Sequence, residues 1–268
     1  MPELPEVETT VRGLAAVLEG RRLTRIELRR ADLRRPFPEG LGQRLTGAKV
    51  TGLGRRAKYG LVATDRGDSL IFHLGMSGRW RIDPAEIGAH DHLLVETDEG
   101  RLLSLNDPRR FGSVDLVSTA ELDSFAGFVA LGPEPLDLDP DELRRRLAGR
   151  SAPIKALLLD QRIVAGIGNI YACEALHRAR IHPARAGGSL SPERVRRLTR
   201  AIVEVLHEAI AAGGSTLRDF ARPDGELGYF AARFGVYDRE GQGCPCGGTI
   251  RRIVQGGRST FYCPKCQR

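Results

Sequence analysis

Apolar residues recur at Val7, Val11, Leu14 and Leu18, with charged positions between them and Gly20 directly after. That spacing lays one apolar stripe along a helix over residues 3–19. From residue 23 short runs replace it. The runs 23–28, 48–53, 59–64, 69–73, 79–82, 92–97, 101–106 and 113–117 are rich in β-branched and apolar residues and are separated by Gly, Asp and Pro clusters. They predict about eight strands, enough for a two-layer β-sandwich. A proline- and acid-rich stretch, Gly132 to Asp141, interrupts the pattern and reads as a domain boundary. Beyond it the helical period returns: residues 153–161 and 169–178 bracket the turn at 165–168, and Ser191-Pro192 opens a longer helix. That helix turns Val195, Leu198, Ile202, Val205 and Ile210 inward and is stopped by Gly213-Gly214.

A chain of 268 residues has room for two domains of ordinary size, each with its own core. Its apolar runs stay well short of the roughly 20 residues of a membrane helix, and the first residues lack the charged-then-apolar pattern of a leader. The expectation is a cytosolic protein with no membrane association. The net charge is +7, and its distribution is informative. Residues 1–130 hold 19 Lys or Arg against 19 Asp or Glu, whereas residues 131–268 hold 22 against 15. A basic half beside a neutral half points to a polyanionic partner, nucleic acid first. Lysine is scarce, present only at Lys49, Lys58, Lys155 and Lys265. In a chain that otherwise uses Arg, a lysine marks a place where an amine able to release its proton has a use, so Lys58 and Lys155 are candidates.

The first residues carry the least ordinary chemistry. Removal of Met1 exposes Pro2 as a free secondary amine, which can condense with an aldehyde-level carbon to an electron-withdrawing iminium. Glu3 and Glu6 stand beside it as acid or base. The same residues also suit a plain helix start, since acidic side chains complement the dipole and Pro fits the first turn. Asp107-Pro-Arg-Arg-Phe-Gly112 is a turn presenting cations and an aromatic ring, able to fill the space left by an extruded base. Met76, in His73 to Gly78, is an apolar wedge on another turn or a core residue. Ala165-Gly-Ile-Gly-Asn169 suits either phosphate binding or a tight interhelical turn capped by Asn169. Four of the five cysteines are Cys244, Cys246, Cys263 and Cys266. Two thiolate pairs 16 residues apart on a hairpin predict a tetrahedral zinc site. Cys173 stands alone and reads as packed.

Taken together, MPELPEVET, RRAKY, HLGMSG, HDH, NDPRRFG, LGPEPL, IKALLLDQ, GIGNIYA, GGSTLRDF and GRSTFYCPKCQ resemble the formamidopyrimidine-DNA glycosylase family, in family order and over residues 1–267. The resemblance implies an α+β fold: an N-terminal helix and two-layer β-sandwich, then a mostly helical domain with a helix-two-turns-helix, then a β-hairpin zinc finger. The boundaries expected are 1–132 for the catalytic domain, 133–150 for a linker, 151–240 for the helical DNA-binding domain and 241–268 for the finger. It implies a bifunctional glycosylase and lyase acting on oxidised purines in duplex DNA, in the bacterial cytoplasm, with one structural zinc and monomer as the default state. Residue by residue, Pro2 is the nucleophile, Glu3 the acid and base at the sugar, Lys58 the proton donor for β-elimination and Arg258 the δ-elimination residue. Lys155 lies near the lesion. Met76, Arg109 and Phe111 fill the void, His90, Arg150 and Asn169 meet the DNA backbone, and Ser215 to Phe230 is the loop over the everted base.

One departure concerns the metal. The first cysteine pair has a single intervening residue where the family normally has at least two, so zinc binding calls for an adjusted loop, for instance with Gly247 and Gly248 absorbing the change. Two other readings stand beside this one: an endonuclease VIII-like glycosylase for oxidised pyrimidines, from which MPELPEVE and the complete NDPRRFG depart, and a non-catalytic zinc-finger DNA-binding regulator, which leaves Pro2, Glu3 and Lys58 unexplained.

Overall fold

The computed structural model describes residues 1–216 and 221–268. They fall into two compact units, Met1–Val129 with Ala212–Tyr229, and Ala130–Ala211 with Phe230–Arg268. The segment 212–229 thus groups with the first unit, whereas the sequence reading put residues 215–230 with the helical half.

The first unit opens with α1 (Leu4–Leu18), followed by β1 (Leu23–Leu28), α2 (Leu41–Leu45), β2 (Val50–Arg56), β3 (Tyr59–Thr64), β4 (Asp68–His73), β5 (Arg79–Ile82), β6 (Asp91–Thr97), β7 (Leu102–Asn106), β8 (Ser113–Ser118) and α3 (Ala126–Val129). The strands make two antiparallel four-stranded sheets, ordered β1-β6-β7-β5 and β2-β3-β4-β8. β3 alternates half-buried and buried positions, as a strand with one covered face must. β6, central in its sheet, is buried almost throughout. The predicted stripe of α1 joins one core with both sheets, where Leu14 packs with Phe72, Trp80 and Leu93. Full burial of a side chain such as Leu14 contributes about 1.5–3 kcal/mol. Each predicted strand is present, with β2 displaced toward Arg56 because its pairing with β3 continues to Arg56↔Tyr59. The two residues left to connect them are Ala57 and Lys58.

The second unit contains α4 (Pro140–Leu147), α5 (Ile154–Leu159), α6 (Asn169–Arg178), α7 (Pro192–Ala211) and the hairpin β9 (Arg251–Gln255) and β10 (Arg258–Tyr262). Leu198, Ile202 and Val205 of α7 are fully buried. α4 lies inside the stretch read as linker. Asp139 accepts hydrogen bonds from the Asp141 and Glu142 N–H groups, and Pro140 occupies the first turn. The α+β class, the sandwich, the helical domain and the terminal hairpin all correspond to the expected architecture. Among the described residues no helix is long and apolar enough to cross a membrane.

Candidate functional site

Pro2 is buried beside an exposed Met1, and Glu3, the residue preceding α1, is 3% exposed. The Glu6 carboxylate accepts the Glu3 N–H through Oε2 and the Ser215 N–H through Oε1, each at 2.8 Å. Glu6 therefore clamps the helix start to the segment that follows α7. Pro223 of that segment accepts the Ile82 N–H at 2.8 Å and packs against Gly13. Leu217 to Phe220, within the loop expected over an everted base, lie outside the described residues.

Lys58 is buried in the β2–β3 connection. The turn is tied to α1 by Arg55, whose Nε meets Glu8 Oε2 and whose Nη1 donates to the Ala57 carbonyl, both at 2.9 Å. His73 ends β4 with its ring 4.9 Å from that of Tyr59. Its Nδ1 accepts the Gly75 N–H at 3.0 Å, so in the neutral ring Nε2 carries the proton. Burial first, then Lys58, Arg34 and Arg35, push its pKa down to about 4. The folded value lies below the unfolded one, so this contribution is complete above the unfolded value of about 6.5 and is lost as pH falls toward 4, on the order of 3 kcal/mol in all. An NMR titration of the His73 ring is expected to find its midpoint near 4; a midpoint at the ordinary histidine value would contradict the burial argument.

Two neighbouring turns present the residues expected as wedges. Met76 is 38% and Phe111 46% exposed, and the Arg109 guanidinium lies 4.8 Å from the Phe111 ring centroid. Beneath them Asp107 is fully buried. Its Oδ1 accepts from Ser77 Oγ at 2.7 Å and its Oδ2 from the Gly112 N–H at 2.8 Å, while Ser77 Oγ accepts the Arg109 N–H. One carboxylate therefore holds both turns. His90 is exposed on the approach to β6, its carbonyl accepting the Asp107 N–H at 2.9 Å. At Gly75 the turns touch: φ is +62°, and a Cβ there would lie 2.3 Å from the Phe111 carbonyl carbon. Gly75→Ala is expected to lower stability by roughly 2–4 kcal/mol in urea unfolding; an unchanged midpoint would mean the turns part freely.

In the second unit the Ser259 carbonyl accepts from Lys155 Nζ at 3.2 Å and from Asn169 Nδ2 at 2.9 Å. Lys155 also donates to Thr260 Oγ1. Two expected DNA-facing residues thus brace the hairpin next to Arg258, which is exposed at the start of β10. Asn169 is the first residue of α6, after Gly168 at the cap position, and its Oδ1 is buried without a partner. Arg150 is exposed after α4, with Nε donating to the Arg146 carbonyl.

The Sγ atoms of Cys244, Cys246, Cys263 and Cys266 all lie within 4.8 Å of one another. Zinc–sulfur bonds of about 2.3 Å in a tetrahedron put sulfurs about 3.8 Å apart, and the Cys246–Cys263 and Cys244–Cys266 pairs stand at 3.4 and 4.0 Å. The short first pair fits because Gly247 turns with φ +79° and Gly248 passes close under the sulfurs.

The family model described as formamidopyrimidine-DNA glycosylase N-terminal domain matches residues 1–114, the formamidopyrimidine-DNA glycosylase H2TH domain matches 131–221, and a zinc finger found in FPG and IleRS matches 244–268. A formamidopyrimidine-DNA glycosylase of Rhizorhabdus wittichii is 71% identical over 270 residues, covering all of both chains. The chain belongs to the formamidopyrimidine-DNA glycosylase family. A Lactococcus lactis FPG mutant solved with Fapy-dG containing DNA aligns at TM-score 0.92 with 36% identity over the whole of both chains. The MutM (FPG) protein of Thermus thermophilus aligns at 0.87 with 41% identity, over 99% of this chain and 98% of that one.

In this family member, sequence reasoning did not assign His73, Asp107, Ser77 or Arg55 to the site. His73 and Asp107 lie inside motifs that were singled out, so position in a motif was the available signal. Arg55 opens the RRAKY stretch and gave that same signal, but its role did not show, because its partner Glu8 is 47 residues away.

Proposed function

We propose that this chain excises oxidised purines, 8-oxoguanine opposite cytosine and formamidopyrimidines, from duplex DNA and cuts the strand at the resulting abasic site, working as a monomer in a bacterial cytoplasm. The observation that carries this reading is the end-to-end likeness to glycosylases whose solved relatives hold DNA with a Fapy-dG or an abasic site. With Met1 removed, the Pro2 nitrogen bonds C1′ of the damaged nucleotide, the glycosidic bond breaks, and its electron pair leaves with the base. Glu3 acts as acid and base at the sugar, giving a proton to O4′ as the C1′–O4′ bond opens and the nitrogen lone pair forms the iminium. The iminium acidifies the neighbouring C–H, so elimination expels the 3′ phosphate with Lys58 as proton donor, and Arg258 serves the second elimination.

The nucleotide must leave the stack first, at a cost of a few kcal/mol. Met76, Arg109 and Phe111 fill the gap, with Arg109 facing the orphaned cytosine. His90, Arg150 and Asn169 meet phosphates, and Lys155 stands near the lesion. Support for these roles comes from the wedge turns held by Asp107 and the hairpin braced at Ser259. Zinc, held by the four cysteines, cross-links the hairpin and enters no reaction step.

Borohydride reduction during incubation with an 8-oxoguanine duplex is expected to trap a covalent protein–DNA adduct, whereas an equivalent duplex with an oxidised pyrimidine yields much less. No adduct on either duplex would leave a DNA-binding protein without catalysis. Preference for the pyrimidine would move the chain to the endonuclease VIII-like activity.

A further inference from the structure

α6 offers the zinc hairpin more than a packing surface. Cys173 joins Cys244, Cys263, Val236, Ile250 and Phe261 in one buried cluster. One turn further along the helix, His177 brings Nε2 to 3.5 Å from Cys244 Sγ. The ring is held from two sides. Glu174, on the preceding turn, accepts the N–H groups of Gly235, Val236 and Tyr237 at 2.8, 3.0 and 2.8 Å, pinning the turn that leads into the finger. The backbone at Gly235 lies so close that a Cβ there would be 2.8 Å from His177 Nδ1.

The direction of the contact follows from its chemistry. A thiolate bound to zinc only accepts hydrogen bonds, so a ring nitrogen at this distance from it must carry a proton and donate. Cys244 is 7% exposed, and a buried sulfur that shares the negative charge of four thiolates around one divalent ion gains from a donor supplied by the protein. It also belongs to the pair with the short spacing. We propose that His177 is a positioning residue for the metal: it donates an N–H···S hydrogen bond to Cys244, fixing the ligand whose loop is one residue short and fastening the finger to α6. The proposal rests on zinc being held by these four cysteines.

The test is zinc transfer from the intact, DNA-free protein to a coloured chelator, comparing wild type with His177→Phe, which keeps a ring without a donor, and His177→Gln, which keeps an N–H. His177→Phe is expected to release zinc about 10–100-fold faster, and His177→Gln to recover most of that loss. In cobalt-substituted protein the thiolate-to-metal charge-transfer band is expected to shift in His177→Phe and return in His177→Gln, a signature read before any metal leaves. Release from His177→Phe at the wild-type rate would overturn the proposal. So would the opposite order, with Phe slow and Gln fast, which marks a packing role. If the wild-type protein binds no zinc at all, the metal assignment fails rather than the hydrogen bond.

Discussion

A chain carrying one extra residue ahead of Pro2 is expected to give no borohydride-trapped adduct and to lose base release by on the order of 1,000-fold or more. The extra residue turns the proline nitrogen into an amide, whose lone pair is delocalised into the carbonyl and cannot attack C1′. Contacts with phosphates do not involve that nitrogen, so affinity for the duplex should stay within about threefold at fixed salt. The structure sharpens the expectation, since Pro2 and Glu3 are buried at the head of a helix clamped through Glu6. Trapping and filter binding on the same preparation measure both outcomes. An undiminished adduct from the extended chain would transfer the nucleophile to a lysine, with Lys58 the first to test because it is buried and tied to α1 through Arg55.

Most of the fold was legible from local pattern. The stripe from Val7 to Leu18 answers to a single buried face, and the strands were short runs set off by Gly, Asp and Pro clusters. What was not legible depended on partners distant in sequence. The end of β2 is set by pairing with Tyr59, and α4 buries only Leu143 and Leu147 amid charged and proline residues, too few for a pattern. The same division holds at the site. Met76, Arg109 and Phe111 were readable as turn residues, yet the buried carboxylate that joins their turns acts across 30 residues to Ser77. Glu6, read as a second acid or base, instead accepts two backbone N–H groups, one of them 209 residues away. Local chemistry is written locally; the groups that hold it in place are not.

The metal centre gives the second large effect. Gly248→Ala is expected to deprive the protein of zinc and to reduce the second elimination before adduct formation at Pro2. A Cβ at this position would lie 2.7 Å from Cys263 Sγ, 2.8 Å from Lys265 Cβ and 3.4 Å from Cys246 Sγ. Cys263 cannot retreat easily. It is fully buried, its N–H donates to Gln267 Oε1 at 2.7 Å, and Gln267 Nε2 donates onward to the Ile181 carbonyl at 2.9 Å. The methyl must therefore spread the sulfurs beyond the spacing that bonds of about 2.3 Å allow. Metal analysis of purified Gly248→Ala should find well under half an equivalent of zinc, against one in wild type. Arg258 shares β10 with the residues leading to Cys263, so the ratio of δ- to β-elimination product should fall while the trapped adduct persists. A full equivalent of zinc in the variant would show that the short pair tolerates a side chain and that the glycine is not what lets a one-residue spacing close the site.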